Sequence, residues 1–168
     1  MSSYQLAQVN IGRILAPLDS PVMAGFVEQL DAINALADAA PGFVWRLQTE
    51  DGDATAIRPY DDDWILVNMS VWESPEALHA YVYRSAHADV LRRRREWFAR
   101  MTDAYVALWW VPAGHRPSVA EAVARLEMLR AHGPTPDAFT FRQIFPAPDA
   151  SSEPHRTTRE LPEECPAT

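Results

Sequence analysis

An α+β domain built on one antiparallel sheet is the fold class this sequence predicts, on three observations. Strand-like runs and helical patterns follow one another in the order β-α-β-β-α-β, with a further helix and strand behind them. Several strands set an apolar face against one that mixes aromatic and polar side chains. The chain's 168 residues, 48% of them hydrophobic, suit one domain whose core needs no disulfide or metal staple.

The first strand is read over Tyr4 to Ile14. A helix is expected from Ser20 to Ala39, with Ser20 as N-cap and Pro21 at the first helical position. Its apolar stripe is Val22, Phe26, Leu30, Ile33 and Leu36–Ala37, and Pro41-Gly42 ends it. Phe43 to Thr49 reads as a second strand, and the acidic stretch Glu50 to Asp63 as a surface loop. Trp64 to Trp72 is the clearest strand. Ser74-Pro75 opens a helix to about Arg84, which resumes after a break at Ser85 and runs to about Met101. Ala104 to Val111 is the fourth strand. Ser118 and Glu121 have the spacing of a capping box, and their helix ends near His132 before Gly133-Pro134. A last strand is expected over Ala138 to Phe145. Residues 1–146 then make the domain, and 147–168, rich in Pro, Ser, Glu and Thr, a disordered tail.

This order is the ferredoxin-like split β-α-β pattern with a C-terminal extension. Its helices are expected on one face of the sheet. The other face needs a cover, commonly a second copy, so a homodimer is expected.

Composition narrows the function classes. The net charge of −8 argues against a general nucleic-acid binder. No apolar run approaches a membrane span, the N-terminus has no secretory pattern, and the one cysteine, Cys165, lies in the tail. A cytoplasmic location is expected. Lysine is absent, which removes lysine-based catalysis. There is no glycine-rich phosphate loop, no nucleophile elbow and no metal-ligand spacing, so no metal site is expected.

The candidate site follows from the two faces. In the third strand Ile65, Val67, Met69 and Val71 oppose Trp64, Leu66, Asn68, Ser70 and Trp72. In the first, Ala7, Val9 and Ile11 oppose Gln8 and Asn10. A face with amides, a hydroxyl and indoles suits either water or a ligand pocket. On the helix beyond Ser85, His87, Leu91, Arg94 and Phe98 follow helical spacing, flanked by Val90 and Trp97. Arg94 on such a stripe serves either a structural ion pair or the grip on a carboxylate or oxyanion. His87 is either a satisfied core histidine or a general base. Arg92, Arg93 and Arg95 are expected to face solvent.

The stretch Val71-Trp72-Glu73-Ser74-Pro75-Glu76-Ala77-Leu78, with Tyr81 and Ser85-Ala86-His87, resembles the strand-to-helix segment of the antibiotic-biosynthesis-monooxygenase-like proteins. The span from about Tyr4 to Phe145, through Gly42-Phe43-Val44-Trp45-Arg46, Tyr83-Arg84-Ser85-Ala86-His87, Arg94-Arg95-Glu96-Trp97-Phe98, Leu108-Trp109-Trp110-Val111-Pro112-Ala113-Gly114-His115 and Ala138-Phe139-Thr140-Phe141, is similar to a bacterial family of unknown function. The first resemblance implies a dimeric α/β barrel with a pocket between sheet and helices. Its superfamily includes cofactor-free oxygenases of electron-rich aromatics, haem-degrading enzymes, isomerases and proteins without known catalysis. In the haem-degrading pattern Asn10 fits the strand asparagine, but Tyr81 stands where a tryptophan is expected and Arg92 near the axial histidine.

The leading expectation is a cofactor-independent, monooxygenase-like enzyme acting on an aromatic or hydrophobic metabolite. His87 would be its base, with Asn10 and Arg94 beside it and Asn68, Ser70, Trp72, Tyr83, Trp97 and Phe98 shaping the substrate pocket. A non-catalytic small-molecule-binding or stress-related dimer and a haem protein are the alternatives, haem being the less favoured.

Overall fold

The computed structural model describes residues 2–150. Along the chain run β1 (Tyr4–Arg13), α1 (Ala24–Asp38), β2 (Phe43–Arg46), β3 (Ile65–Trp72), α2 (Pro75–Arg84), α3 (His87–Arg92), β4 (Val106–Pro112) and α4 (Val119–His132), with a 3-10 turn at Arg94–Glu96. The strand order is β2-β3-β1-β4 and every pairing is antiparallel. This is the ferredoxin-like sheet, with the first and third strands central.

The register keeps the two faces apart. Val9 lies opposite Met69 and Ala107, while Asn10 lies opposite Asn68. Ala7, Val9, Ile11, Val67, Met69, Val71, Ala107 and Trp109 form one apolar layer. Ala122, Leu126 and Leu129 of α4 seal it, joined by Ile57 and Tyr60 from the acidic loop. Polar contacts fix this cover: Trp109 Nε1 donates to Glu121 at 3.1 Å, Arg130 Nε to the Ala104 carbonyl at 2.8 Å, and the Tyr60 hydroxyl to Glu127 at 2.6 Å. The face that an isolated sheet would offer to a second copy is thus buried by the chain's own C-terminal helix. The helices α1, α2 and α3 lie over the opposite, mixed face.

Both helix starts expected beyond the sheet's third strand are capped by their serines, but the Glu121 carboxylate turns to Trp109 and His115, so the reciprocal half of the capping box does not form. Ser74 accepts from the Ala77 N–H, and Ser118 from the Glu121 N–H, each at 3.1 Å. Four expectations need correction. α1 starts at Ala24, because the Ser20 hydroxyl turns back to the Pro17 carbonyl instead of capping forward. β2 stops at Arg46, although the Leu47 N–H still bonds the Met69 carbonyl. The helix expected to reach Met101 ends at Arg92. Backbone pairing takes over there: Leu15 N–H bonds the Trp97 carbonyl and Ala99 N–H the Arg13 carbonyl, both strand-like contacts with the end of β1. The expected last strand is reduced to one bridge, in which Leu108 and Phe139 exchange two hydrogen bonds of 2.8 Å. Turns at Thr135–Ala138 and Thr140–Gln143 bend the chain on either side of it. That bridge still covers part of the open edge of β4 and places Phe139 and Phe141 over the mixed face.

Of the expected tail, residues 147–150 return to the N-terminus, where Asp149 accepts from the Ser3 N–H at 2.6 Å. Residues 151–168, Cys165 included, lie outside the described residues.

Candidate functional site

Asn68 sits in a strand paired on both sides, yet it is exposed. The reason is a cleft between the mixed face and the helices α1, α2 and α3. It has two chambers, of about 170 Å³ and about 310 Å³. Asn10, Asn34, Asn68, His87 and Arg94 line both. Phe26, Trp97 and Phe98 close the smaller chamber, and Trp72, Tyr81, Tyr83 and Phe141 line the larger.

Serine 85 builds the corner that brings His87 into this cleft. Its backbone is extended, which ends α2, and its hydroxyl bonds back to the Tyr81 carbonyl. The same oxygen accepts from the His87 N–H at 3.1 Å, so α3 begins there. The His87 ring rests beside Tyr81, with centroids 5.0 Å apart. Its Nδ1 faces the Val82 carbonyl at 3.3 Å. A carbonyl can only accept, so Nδ1 carries the proton and the basic lone pair is on Nε2. Burial pulls the His87 pKa below its ordinary 6.5, opposed by the Val82 bond, and the ring is neutral at physiological pH.

Arg94 enters from the 3-10 turn. It makes no ion pair among the described residues, so the structural ion pair considered for it is not what holds it. One N–H donates to the Ile11 carbonyl at 3.2 Å, and the guanidinium lies 4.3 Å over the Tyr105 ring and 5.7 Å from that of Phe98. Burial lowers its pKa, partly offset by Tyr105. Phe98 in turn packs so closely on Gly12 that a Cβ there would lie 2.6 Å from its ring. The glycine in β1 is what lets this wall approach the sheet.

The floor of the larger chamber is a polar ladder. Gln8 Nε2 donates to Asn68 Oδ1 at 2.7 Å and to Ser70 Oγ at 2.9 Å, and Trp72 Nε1 donates to Ser70 Oγ at 2.8 Å. Asn68 thereby keeps both amide donors uncommitted, and Asn10 opposite it makes no side-chain hydrogen bond among the described residues. Tyr81 stacks on Trp72 at 5.0 Å and donates its hydroxyl to the Ile33 carbonyl of α1, at 3.2 Å. Burial raises the Tyr81 phenol to about 12, so it remains a donor.

All the residues expected at the site line this cleft: Asn10, Asn68, His87 and Arg94 both chambers, Ser70, Trp72 and Tyr83 the larger, Trp97 and Phe98 the smaller. Others were missed. Gln8 was seen on the mixed face but not as the anchor of its amides. Asn34 and Ile33 come from α1, whose distance from the sheet no local pattern encodes. Arg92 and Arg95 are exposed, as expected, and in addition reach the rim of the larger chamber. No group of three or more His, Cys, Asp or Glu side chains that could hold a metal occurs among the described residues.

Fold and cleft together define a ferredoxin-like α+β domain with a preformed, partly polar pocket under its helices. Residues 5–156 match the model of the domain of unknown function DUF3291, and the chain belongs to that family. No curated protein matches it. Among solved structures it is similar to a protein of unknown function, NE2512 from Nitrosomonas europaea, with 12% identity, 69% of this chain and 97% of the other covered, and a TM-score of 0.43. PA3566 from Pseudomonas aeruginosa gives 15%, 68%, 98% and 0.44 for the same quantities. SnoaB, a cofactor-independent oxygenase from Streptomyces nogalater, gives 15%, 68%, 97% and 0.42. No helix among the described residues is long and apolar enough to cross a membrane.

Proposed function

We propose that this protein is a small-molecule enzyme of the cofactor-independent, monooxygenase-like kind, acting on an aromatic metabolite in the cleft. The observation that carries the reading is His87: a neutral imidazole at a cavity wall, with Nδ1–H held by Val82 and the Nε2 lone pair uncommitted. Such a group removes a proton from an acidic position of an electron-rich aromatic. The amide donors of Asn10 and Asn68, with Arg94, then hold the resulting anion. The anion is its own electron source for dioxygen. When a ring-activated CH2 becomes C=O, one oxygen atom enters the product, the other leaves as water with the two displaced hydrogens, and no external reductant is needed.

A haem mechanism fits the residues poorly. The position near the axial ligand is Arg92, a side chain that does not ligate iron and that is paired with Asp89. The homodimer belongs to this reading through a surface other than the apolar face, which α4 occupies. Light scattering should give about twice the chain mass of 18.9 kDa, and a mass of one chain removes the dimer.

Oxygen uptake with anthrone and dihydroxynaphthalenes, without added cofactor, tests the activity. Enzyme-dependent uptake is expected, with loss of all measurable turnover in His87→Ala while the circular dichroism spectrum is kept. Undiminished turnover in that variant removes His87 from the mechanism.

A further inference from the structure

The chain is acidic, with a net charge of −8, but its cleft is not. The larger chamber is lined by Arg46, Arg92, Arg94 and Arg95 and by no aspartate or glutamate. In the smaller one the single carboxylate is Asp53, one oxygen of which accepts from the backbone N–H and the hydroxyl of Thr55. The four cations are not equivalent. Arg46 is bound to Asp38 at 2.7 Å and to the Gly52 carbonyl, and Arg92 to Asp89. Arg95 is exposed at the rim. Arg94 alone is deep, common to both chambers and without a carboxylate. Only one of its five N–H donors has a hydrogen-bond partner among the described residues. A charge in that position is costly unless something anionic completes it.

We infer that the cleft takes a monoanionic ligand, a flat aromatic body carrying a carboxylate that Arg94 grips. One unmatched deep cation matches one negative charge, and a planar guanidinium with free N–H pairs suits a carboxylate's two oxygens. The aromatic body has surfaces to lie on at either end, Phe26 and Trp97 in one chamber and Trp72 and Tyr81 in the other. Arg95 at the mouth adds attraction for an incoming anion. The inference rests on reading the cleft as a ligand site, and it adds that the charge stands on the ligand before any proton is removed.

Calorimetric titration of the whole chain with benzoate, 2-naphthoate and 2-anthracenecarboxylate, each against its primary amide, tests it. At least one acid should bind on the order of tenfold tighter than its own amide. Arg94→Gln should erase that preference, and Arg94→Lys should keep part of it. Arg125→Gln should keep it whole, because Arg125 pairs with Asp137 outside both chambers. The ratio on the unaltered chain does not depend on any variant folding. Amides that bind as tightly as the acids overturn the anionic ligand and leave the pocket reading standing. If neither acids nor amides bind, both fall. A preference that survives intact in a folded Arg94→Gln takes the role from Arg94.

Discussion

Met69 and Asn68 are neighbours in the same strand, yet Met69 is 1% exposed beneath α4 and Asn68 opens onto a cleft. The two faces of this sheet differ in what covers them. On Met69's side α4 lies directly on the strands, and Ala122 and Leu126 are fully buried. On Asn68's side α1 stands away: of its residues only Ala37 is buried, and Phe26, Leu30, Ile33 and Asn34 form a wall that does not touch the floor everywhere. The difference shows where this domain puts its stability and where it leaves room. A well-packed layer on one face permits an imperfectly filled, polar layer on the other.

Substitutions that exchange the roles of the two faces should break the contrast. The largest effect on stability is expected at Leu126→Ala, which opens a cavity in the dry layer and should cost about 2–5 kcal/mol in urea unfolding. A loss below about 1 kcal/mol, by the same measurement, would mean that α4 does not seal the apolar layer. Next comes Ser70→Ala. It leaves Gln8 Nε2 one acceptor short and Trp72 Nε1 without its serine oxygen, and should cost about 1–3 kcal/mol. Wild-type stability in that variant would show that water replaces the hydroxyl, and hence that the floor of the cleft is wet.

The smallest effect is a pH dependence. The folded-state pKa of His87 is lowered by burial from its ordinary 6.5. At higher pH both folded and unfolded chains hold it neutral. As pH falls below 6.5 the unfolded chain takes up the proton first, so the contribution of His87 to stability declines, and it levels off below the folded-state value. Urea midpoints from about pH 8 to about pH 5 should therefore decline less steeply in His87→Gln than in the wild type. Parallel profiles would mean that the ring protonates as readily in the folded protein as in the unfolded one.

The site was legible wherever it depended on alternation or on helical spacing. The period of two along β1 and β3 put Asn10, Asn68, Ser70 and Trp72 on one face, and the register keeps them together. The spacing of His87, Leu91 and Arg94 set them toward the same cleft even though the helix breaks before Arg94. Arg92 and Arg95 are exposed, as expected for that side of the segment, and their contact with the rim of the larger chamber is the part that no helical spacing shows. Gln8 was visible as a polar residue, but its anchoring role depends on two cross-strand distances.

By itself the sequence determined the order of the four sheet strands and of the helices among them, the two characters of the sheet faces and the caps at Ser74 and Ser118. All are set by residues within a few positions of one another, through side-chain alternation, helical period and local hydrogen bonds. Only the tertiary structure decided that α4 covers the apolar face, that the expected C-terminal strand contributes one bridge at Phe139, and that Arg94 meets a carbonyl and an aromatic ring instead of a carboxylate. Those outcomes join residues tens of positions apart. They follow from competition among all the surfaces that could be buried, and no local pattern records which pairing wins.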